Sequence, residues 1–246
     1  MTAVKKQAIR GILFDLDGTL LQVEMRQFIP AYARGLAACF SDITDSTRFT
    51  EGLIQATLAL LKRQDGLQNN EQYFLARMME RLRIEPELFR CRLHHYCSDG
   101  LLHLSSLVRA HPLARQVLDY CRQLGLRLVL ATNPVFPRAV VEARMAWGGL
   151  LDFPFELVTS YENCRFCKPY PGYFTDILDH LQLTAEQCLM VGNDTVHDLG
   201  ARDAGMTTFL VDTWLEDRRD GCFITDYRGD LADLYDFLQD LGNVAE

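Results

Sequence analysis

Two aspartates standing two residues apart suggest what this chain does. Asp15 and Asp17 lie in Phe14-Asp15-Leu16-Asp17-Gly18-Thr19-Leu20, directly after the apolar run Ala8-Ile9-Arg10-Gly11-Ile12-Leu13-Phe14. The run has no helical period and reads as a buried strand. With Asp15 at the strand's end, alternation aims both acids the same way, although a turn there breaks strict alternation. Like charges that close repel, and a cation or a shared proton between them relieves the repulsion. Gly18 lets the chain turn sharply and present backbone N–H groups to an anion. A hard cation and an anion held beside a carboxylate point to phosphoryl chemistry.

The elements that must position these acids follow from the pattern of the chain. From about Met25 to Leu107 helical periods succeed one another. Phe28-Ile29, Tyr32, Leu36 and Phe40 mark one helix, and Phe49, Leu53-Ile54, Thr57-Leu58 and Leu61 a second. A third carries Tyr73-Phe74-Leu75, Met78-Met79 and Leu82 behind a cap at Asn69 or Asn70, and Pro86 sits in the first turn of a fourth. Four helices inserted after a strand should form their own bundle. Beyond Pro112, strands expected at Leu126–Ala131, Phe155–Val158, Cys188–Val191 and Thr207–Val211 alternate with helices. The spacing predicts an α/β fold with a doubly wound parallel sheet. Asp212–Arg228 reads as a polar loop, and Leu231 to Leu241 as a closing amphipathic helix.

Ligands of such sheets bind beyond the carboxyl ends of the strands. Each break there carries a polar group: Asp15 and Asp17, then Thr132 and Asn133, then Lys168, then Asp194 with Asp198. This order and placement resembles the motifs of the haloacid dehalogenase superfamily, the aspartate-nucleophile phosphohydrolases. The likeness covers nearly the whole chain, with Leu130-Ala131-Thr132-Asn133 as the second motif and Lys168-Pro169 as the third. It implies a Rossmann-like catalytic core from residues 1–21 and 108–246, and a helical cap domain from 22–107. By resemblance Asp15 is the nucleophile of a phosphomonoesterase and Asp17 protonates the leaving oxygen, then activates water. Thr132 and Asn133 hold phosphoryl oxygens, and Lys168 neutralises the phosphate and Asp15. The implied cofactor is Mg²⁺, bound by Asp15, the backbone carbonyl of Asp17 and Asp194.

One departure concerns the fourth motif. Family members commonly have Gly-Asp where this chain has Gly192-Asn193-Asp194. Asp194 is the expected direct ligand, Asp198 holds a metal-bound water or Lys168, and Asn193 can substitute through its carbonyl. Alone, Thr132 could equally be a helix cap, Lys168 a solvated charge and Asp198 a first-turn acid. One ion and one phosphate explain them all.

Composition narrows the partners. A net charge of −8 argues against nucleic acid. No stretch has the length to span a bilayer, and no signal peptide is evident. Eight scattered cysteines in a chain of 246 residues suggest reduced thiols and a cytoplasmic setting, with Cys164 and Cys167 as loop thiols rather than a metal site. His94 and His95 read as helix surface, and His197 as a neighbour of the fourth motif without a chemical role.

The expected substrate is a small phosphate ester. A mutase keeps Asp17 and differs mainly in the cap, so it remains an alternative. Hydrolytic dehalogenation is disfavoured, because a halide leaves without a proton and needs no acid at Asp17. A silenced binding protein is disfavoured by the presence of Asp15, Asp17 and Lys168 together. Candidates for specificity are Gln22, Glu24 and Arg26, and the Gln64–Asn70 loop. The sequence does not fix an oligomeric state.

Overall fold

A computed structural model describes residues 9–242, so the predicted strand start at Ala8 lies outside the described residues. The chain runs through β1 (Gly11–Phe14), β2 (Leu21–Val23), α1 (Met25–Ala38), α2 (Ser46–Leu61), α3 (Asn70–Leu82), α4 (Pro86–His95) and β3 (Val108–Ala110). There follow α5 (Ala114–Gln123), β4 (Arg127–Leu130), α6 (Arg138–Trp147), β5 (Leu157–Val158), α7 (Pro171–Leu181), β6 (Cys188–Gly192), β7 (Thr207–Val211), β8 (Tyr227–Gly229) and α8 (Leu231–Gly242).

Six strands form one parallel sheet in the order β5-β4-β1-β6-β7-β8. The apolar runs are continuous because both faces are covered. Ile12 and Phe14 of β1 join one core cluster, with Leu128 and Leu130 of β4 and Leu189 and Val191 of β6. The alternate residues Leu13, Val129, Cys188 and Met190 join the cluster on the other face. Register then brings three strand ends together: Phe14 lies opposite Leu130 on one side and Val191 on the other. Asp15, Ala131-Thr132 and Gly192-Asn193 therefore leave the sheet at one edge.

Three features differ from the sequence expectation. β8 adds a sixth strand that overlaps the end of the segment expected to be a loop, with Leu210 opposite Arg228. The stretch after β6 is a 3₁₀ helix, Leu199–Ala204, rather than a full α-helix. β2 and β3 pair antiparallel as a two-stranded ribbon at the two ends of the inserted helices, Val23 opposite Val108.

Two of the four inserted helices, α2 and α3, start at a side-chain cap, and at α2 it is Asp45, which accepts the Arg48 N–H at 2.9 Å. Asn69 accepts from the Gln72 N–H at 2.8 Å while Gln72 accepts from the Asn69 N–H at 3.2 Å, a reciprocal box that opens α3. Their shared interior is aromatic: Phe40 stacks on Phe49 and Phe89 with ring centroids 4.7 and 5.5 Å away, and Phe74 meets Phe89 edge-on at 5.6 Å. Against the sheet side, Phe28 and Tyr32 of α1 pack on Phe136 at 6.1 and 5.5 Å. Asn70 anchors α3 to the loops before α7 and after β4: its N–H reaches the Cys164 carbonyl at 2.8 Å, and its amide reaches the carbonyls of Phe166 and Pro134.

Candidate active site

Asp15 follows β1 directly, its N–H held by the Val191 carbonyl at 2.8 Å. The chain then turns through Gly18, which has φ +90. A Cβ there would lie 2.1 Å from the Asn193 amide nitrogen, so the turn needs glycine for both its conformation and its space. Lys168, from the loop between β5 and α7, is almost wholly buried and bridges two acids. Its Nζ donates to Asp15 Oδ1 at 2.9 Å and to Asp198 Oδ1 at 2.6 Å. The other Asp198 oxygen accepts the Asp194 N–H at 2.9 Å. Asp198 comes this close because Gly192 has no side chain: a Cβ there would meet the carboxylate at 2.2 Å.

One lysine cannot neutralise two buried carboxylates. Burial pushes the Asp198 carboxyl up to about 6, against the opposing pull of Lys168, and raises Asp15 in the same direction. Burial alone would pull the Lys168 ammonium down, but Asp15 and Asp198 outweigh it, so the lysine stays charged. Asp194 goes the other way. Burial opposes its ionisation, yet His197 and Arg218 overcome it and hold the carboxyl well below the usual range.

Thr132 and Asn133 sit where β4 ends. The Thr132 carbonyl is tied back by the Thr159 hydroxyl at 2.7 Å and the Tyr173 hydroxyl at 3.0 Å. Asn133 Oδ1 accepts the Lys168 N–H at 3.2 Å, coupling the second and third motifs. Asn193 donates to the Trp214 carbonyl at 2.6 Å, leaving its Oδ1 with a single long contact from Thr19 at 3.5 Å. Asp15, Asp17, Thr132, Asn133, Lys168, Asn193, Asp194 and Asp198 all line one cavity of about 700 Å³, which also reaches the inserted helices.

A family model described as haloacid dehalogenase-like hydrolase matches residues 9–205. The chain belongs to the haloacid dehalogenase-like hydrolases. The haloacid dehalogenase-like hydrolase domain-containing protein 3 of Xenopus laevis is 34% identical over 101 residues, 41% of this chain and 40% of that protein. The chain thus spans less than half the length of that relative. A phosphoglycolate phosphatase of Vibrio cholerae is 27% identical over 208 residues, 82% of this chain and 84% of the relative. Among solved structures, a HAD phosphatase from Thermococcus onnurineus has the same fold, with a TM-score of 0.58 at 21% identity, covering 94% of this chain and 98% of that one.

This haloacid dehalogenase-like hydrolase carries two cations at the site that the sequence reading did not single out. Arg144, fully buried on α6, pairs with Asp17 Oδ2 and stacks over the Phe136 ring at 4.8 Å. Arg218, from the segment read as a polar loop, donates to Asp194 Oδ2 at 2.5 Å. An arginine repeating with Val140 and Val141 inside a helical period gives no signal of burial beyond its place on the apolar stripe. His197, which was read as having no chemical role, also touches Asp194, with Nδ1 3.0 Å from Oδ2.

The remaining candidates divide between the cavity and the rest of the fold. Gln22, Glu24 and Arg26 line the cavity, but the Gln64–Asn70 loop does not. His94 and His95 are exposed on α4. Cys164 and Cys167 are free thiols, each pushed by burial to about 12. No helix among the described residues is long and apolar enough to cross a membrane.

The donor chemistry fits a hard cation, because the candidate ligands all offer oxygen. Asp15 Oδ2 carries only a 3.4 Å contact from Thr19, and Asp17 Oδ1 is buried without a partner. No cluster of three or more His, Cys, Asp or Glu suited to a metal occurs among the described residues, so carboxylates alone do not complete a site. Asp194 is already committed: Oδ1 takes the N–H groups of Val196 and His197, both at 2.9 Å, and Oδ2 takes Arg218.

Proposed function

We propose that this protein is a Mg²⁺-dependent phosphomonoesterase acting on a small phosphorylated metabolite, with residues 22–107 as a cap domain over the site. The observation that carries the reading is the Lys168 bridge, which fixes Asp15 at the sheet edge beside Thr132 and Asp17 in one cavity. The match to a phosphoglycolate phosphatase over most of both chains supports it.

In this mechanism Asp15 attacks phosphorus and the ester oxygen leaves as the alcohol, giving an aspartyl-phosphate. Asp17 donates the proton to that oxygen and afterwards takes one from the water that releases phosphate. Thr132 Oγ and the Asn133 N–H hold phosphoryl oxygens, and Lys168 offsets charge on the phosphoryl group and Asp15. Arg144 holds Asp17 in place from behind. Asp15, the Asp17 carbonyl and Asp194 would hold Mg²⁺, with Asn193 Oδ1 the alternative donor to Asp194. The ion, when bound, supplies further neutralisation of phosphoryl charge. The test is phosphate release from a panel of small esters. Turnover with Mg²⁺ and none with EDTA is expected, and undiminished turnover in EDTA would overturn the metal dependence.

A further inference from the structure

The inserted helices present an apolar wall to the catalytic residues. Nine large apolar residues are conspicuously exposed among the described residues, and three of them, Ile29, Ile54 and Leu58, line the catalytic cavity at 45, 45 and 44% exposure. Single exposed apolar side chains are ordinary on a protein surface, but a contiguous group facing a catalytic site is not. Leu53, Leu61 and Phe74 extend the same wall. No lining residue from α2, α3 or α4 is charged; the two threonines are Thr50 and Thr57, and Thr57 spends its hydroxyl on the Leu53 carbonyl at 2.9 Å.

Charge at the opposite end limits what can sit against this wall. The cavity is lined by Asp15, Asp17, Glu24, Asp194, Asp198 and Glu216. Lys168 is engaged by Asp15 and Asp198, and Arg218 by Asp194. A second anionic group on the substrate would therefore meet acids, with Arg26 at the rim as the remaining lining arginine. A volume of about 700 Å³ lies within the range of cavities that enclose drug-sized molecules, far larger than a two-carbon phosphate ester requires.

Resting on the phosphatase reading, we propose that the substrate is a monoester whose leaving group is a bulky, uncharged, largely apolar alcohol seated against Ile29, Ile54 and Leu58. The phosphate goes to Thr132 and Lys168. The apolar group fills the space between the sheet edge and α2. A phosphorylated hydroxy acid is then a poor fit, although relatives of this chain carry the name phosphoglycolate phosphatase.

Binding separates this proposal from the catalytic one. Calorimetry with the Asp15→Asn variant and Mg²⁺ measures 1-naphthyl phosphate and phosphoglycolate side by side, while phosphate release by the parent is followed independently. The aryl ester is expected to bind about tenfold tighter or more, as a well-filled apolar pocket discriminates. The Ile54→Asp/Leu58→Asp pair should reduce that ratio about tenfold, with melting curves confirming the fold; both side chains are partly exposed, so the change does not charge a closed core. Equal or tighter binding of phosphoglycolate, no binding of either ester, or an unchanged ratio in the double variant would each overturn the proposal. Absence of parental turnover with the aryl preference intact would instead count against the phosphatase reading alone.

Discussion

Replacing Lys168 with methionine removes the cation that two buried acids share. Side-chain exposures of 1% for the lysine, 11% for Asp15 and 3% for Asp198 leave little water to take its place. Breaking a buried ion pair costs about 3–5 kcal/mol, because the surviving charge is left uncompensated. For a chain of this size each kcal/mol lowers Tm by about 2–4 °C, so the expected fall is about 6–20 °C near neutral pH. The loss should depend on pH. An acid whose folded-state pKa is raised stabilises the fold below its ordinary value, and that contribution disappears as pH rises through the folded value. For Asp198 in the parent the window runs from the ordinary carboxyl value up to about 6, burial being the cause and Lys168 the opposing influence. Without the lysine the folded values move higher still, so the deficit is small at pH 5 and large at pH 8. Adding Asp198→Asn to the variant removes one of the two charges and should recover about half of the lost stability. Differential scanning calorimetry at both pH values makes the test. A deficit under about 2 °C at pH 8, or one equal at pH 5 and pH 8, would refute the charge-sharing account.

Further predictions concern the residues around this bridge. Arg144→Met should lower kcat about tenfold or more while KM changes little, because Arg144 orients Asp17 from beneath the site, and Arg144→Lys should recover part of the rate. An unchanged kcat in Arg144→Met, measured on folded protein, would remove Arg144 from the mechanism. Gly18→Ala should cost about 1–3 kcal/mol and most of the activity, since the turn has φ +90 and the new methyl meets the Asn193 amide. Asp17→Asn, given an aryl phosphate with a good leaving group, should release about one equivalent of phenol per enzyme in a burst and then stall; steady turnover at the parental rate would contradict the role of Asp17.

Legibility from sequence followed the length and regularity of each signal. β1, β4, β6 and β7 were readable because fully buried parallel strands are uninterrupted apolar runs ended by polar breaks. The start of α3 was readable from the cap expected at Asn69 or Asn70, which the structure places at Asn69, and that of α4 from Pro86. β8 was not, since three residues with an exposed Arg228 in the middle carry no strand pattern. The β2–β3 ribbon was hidden for the same reason, with partners 89 positions apart at Leu21 and Ala110 paired only by the fold. At the site, residues that end strands were legible because the sheet places them together. Arg144 and Arg218 reach Asp17 and Asp194 from a helix face and a long connection, and neither position is marked by a local motif.

In the proposed reaction Asp15 forms a covalent bond to phosphorus. Its most direct test is phosphate release by purified Asp15→Asn beside the parent, with Mg²⁺ and 1-naphthyl phosphate, phosphoglycolate and other small esters, and with deamidation and contamination excluded by mass spectrometry. Attack by Asp15 requires turnover in the parent and a loss of about 10⁴-fold or more in the variant, as expected when a nucleophile that acts with its partners is removed. Turnover that survives Asp15→Asn would contradict it.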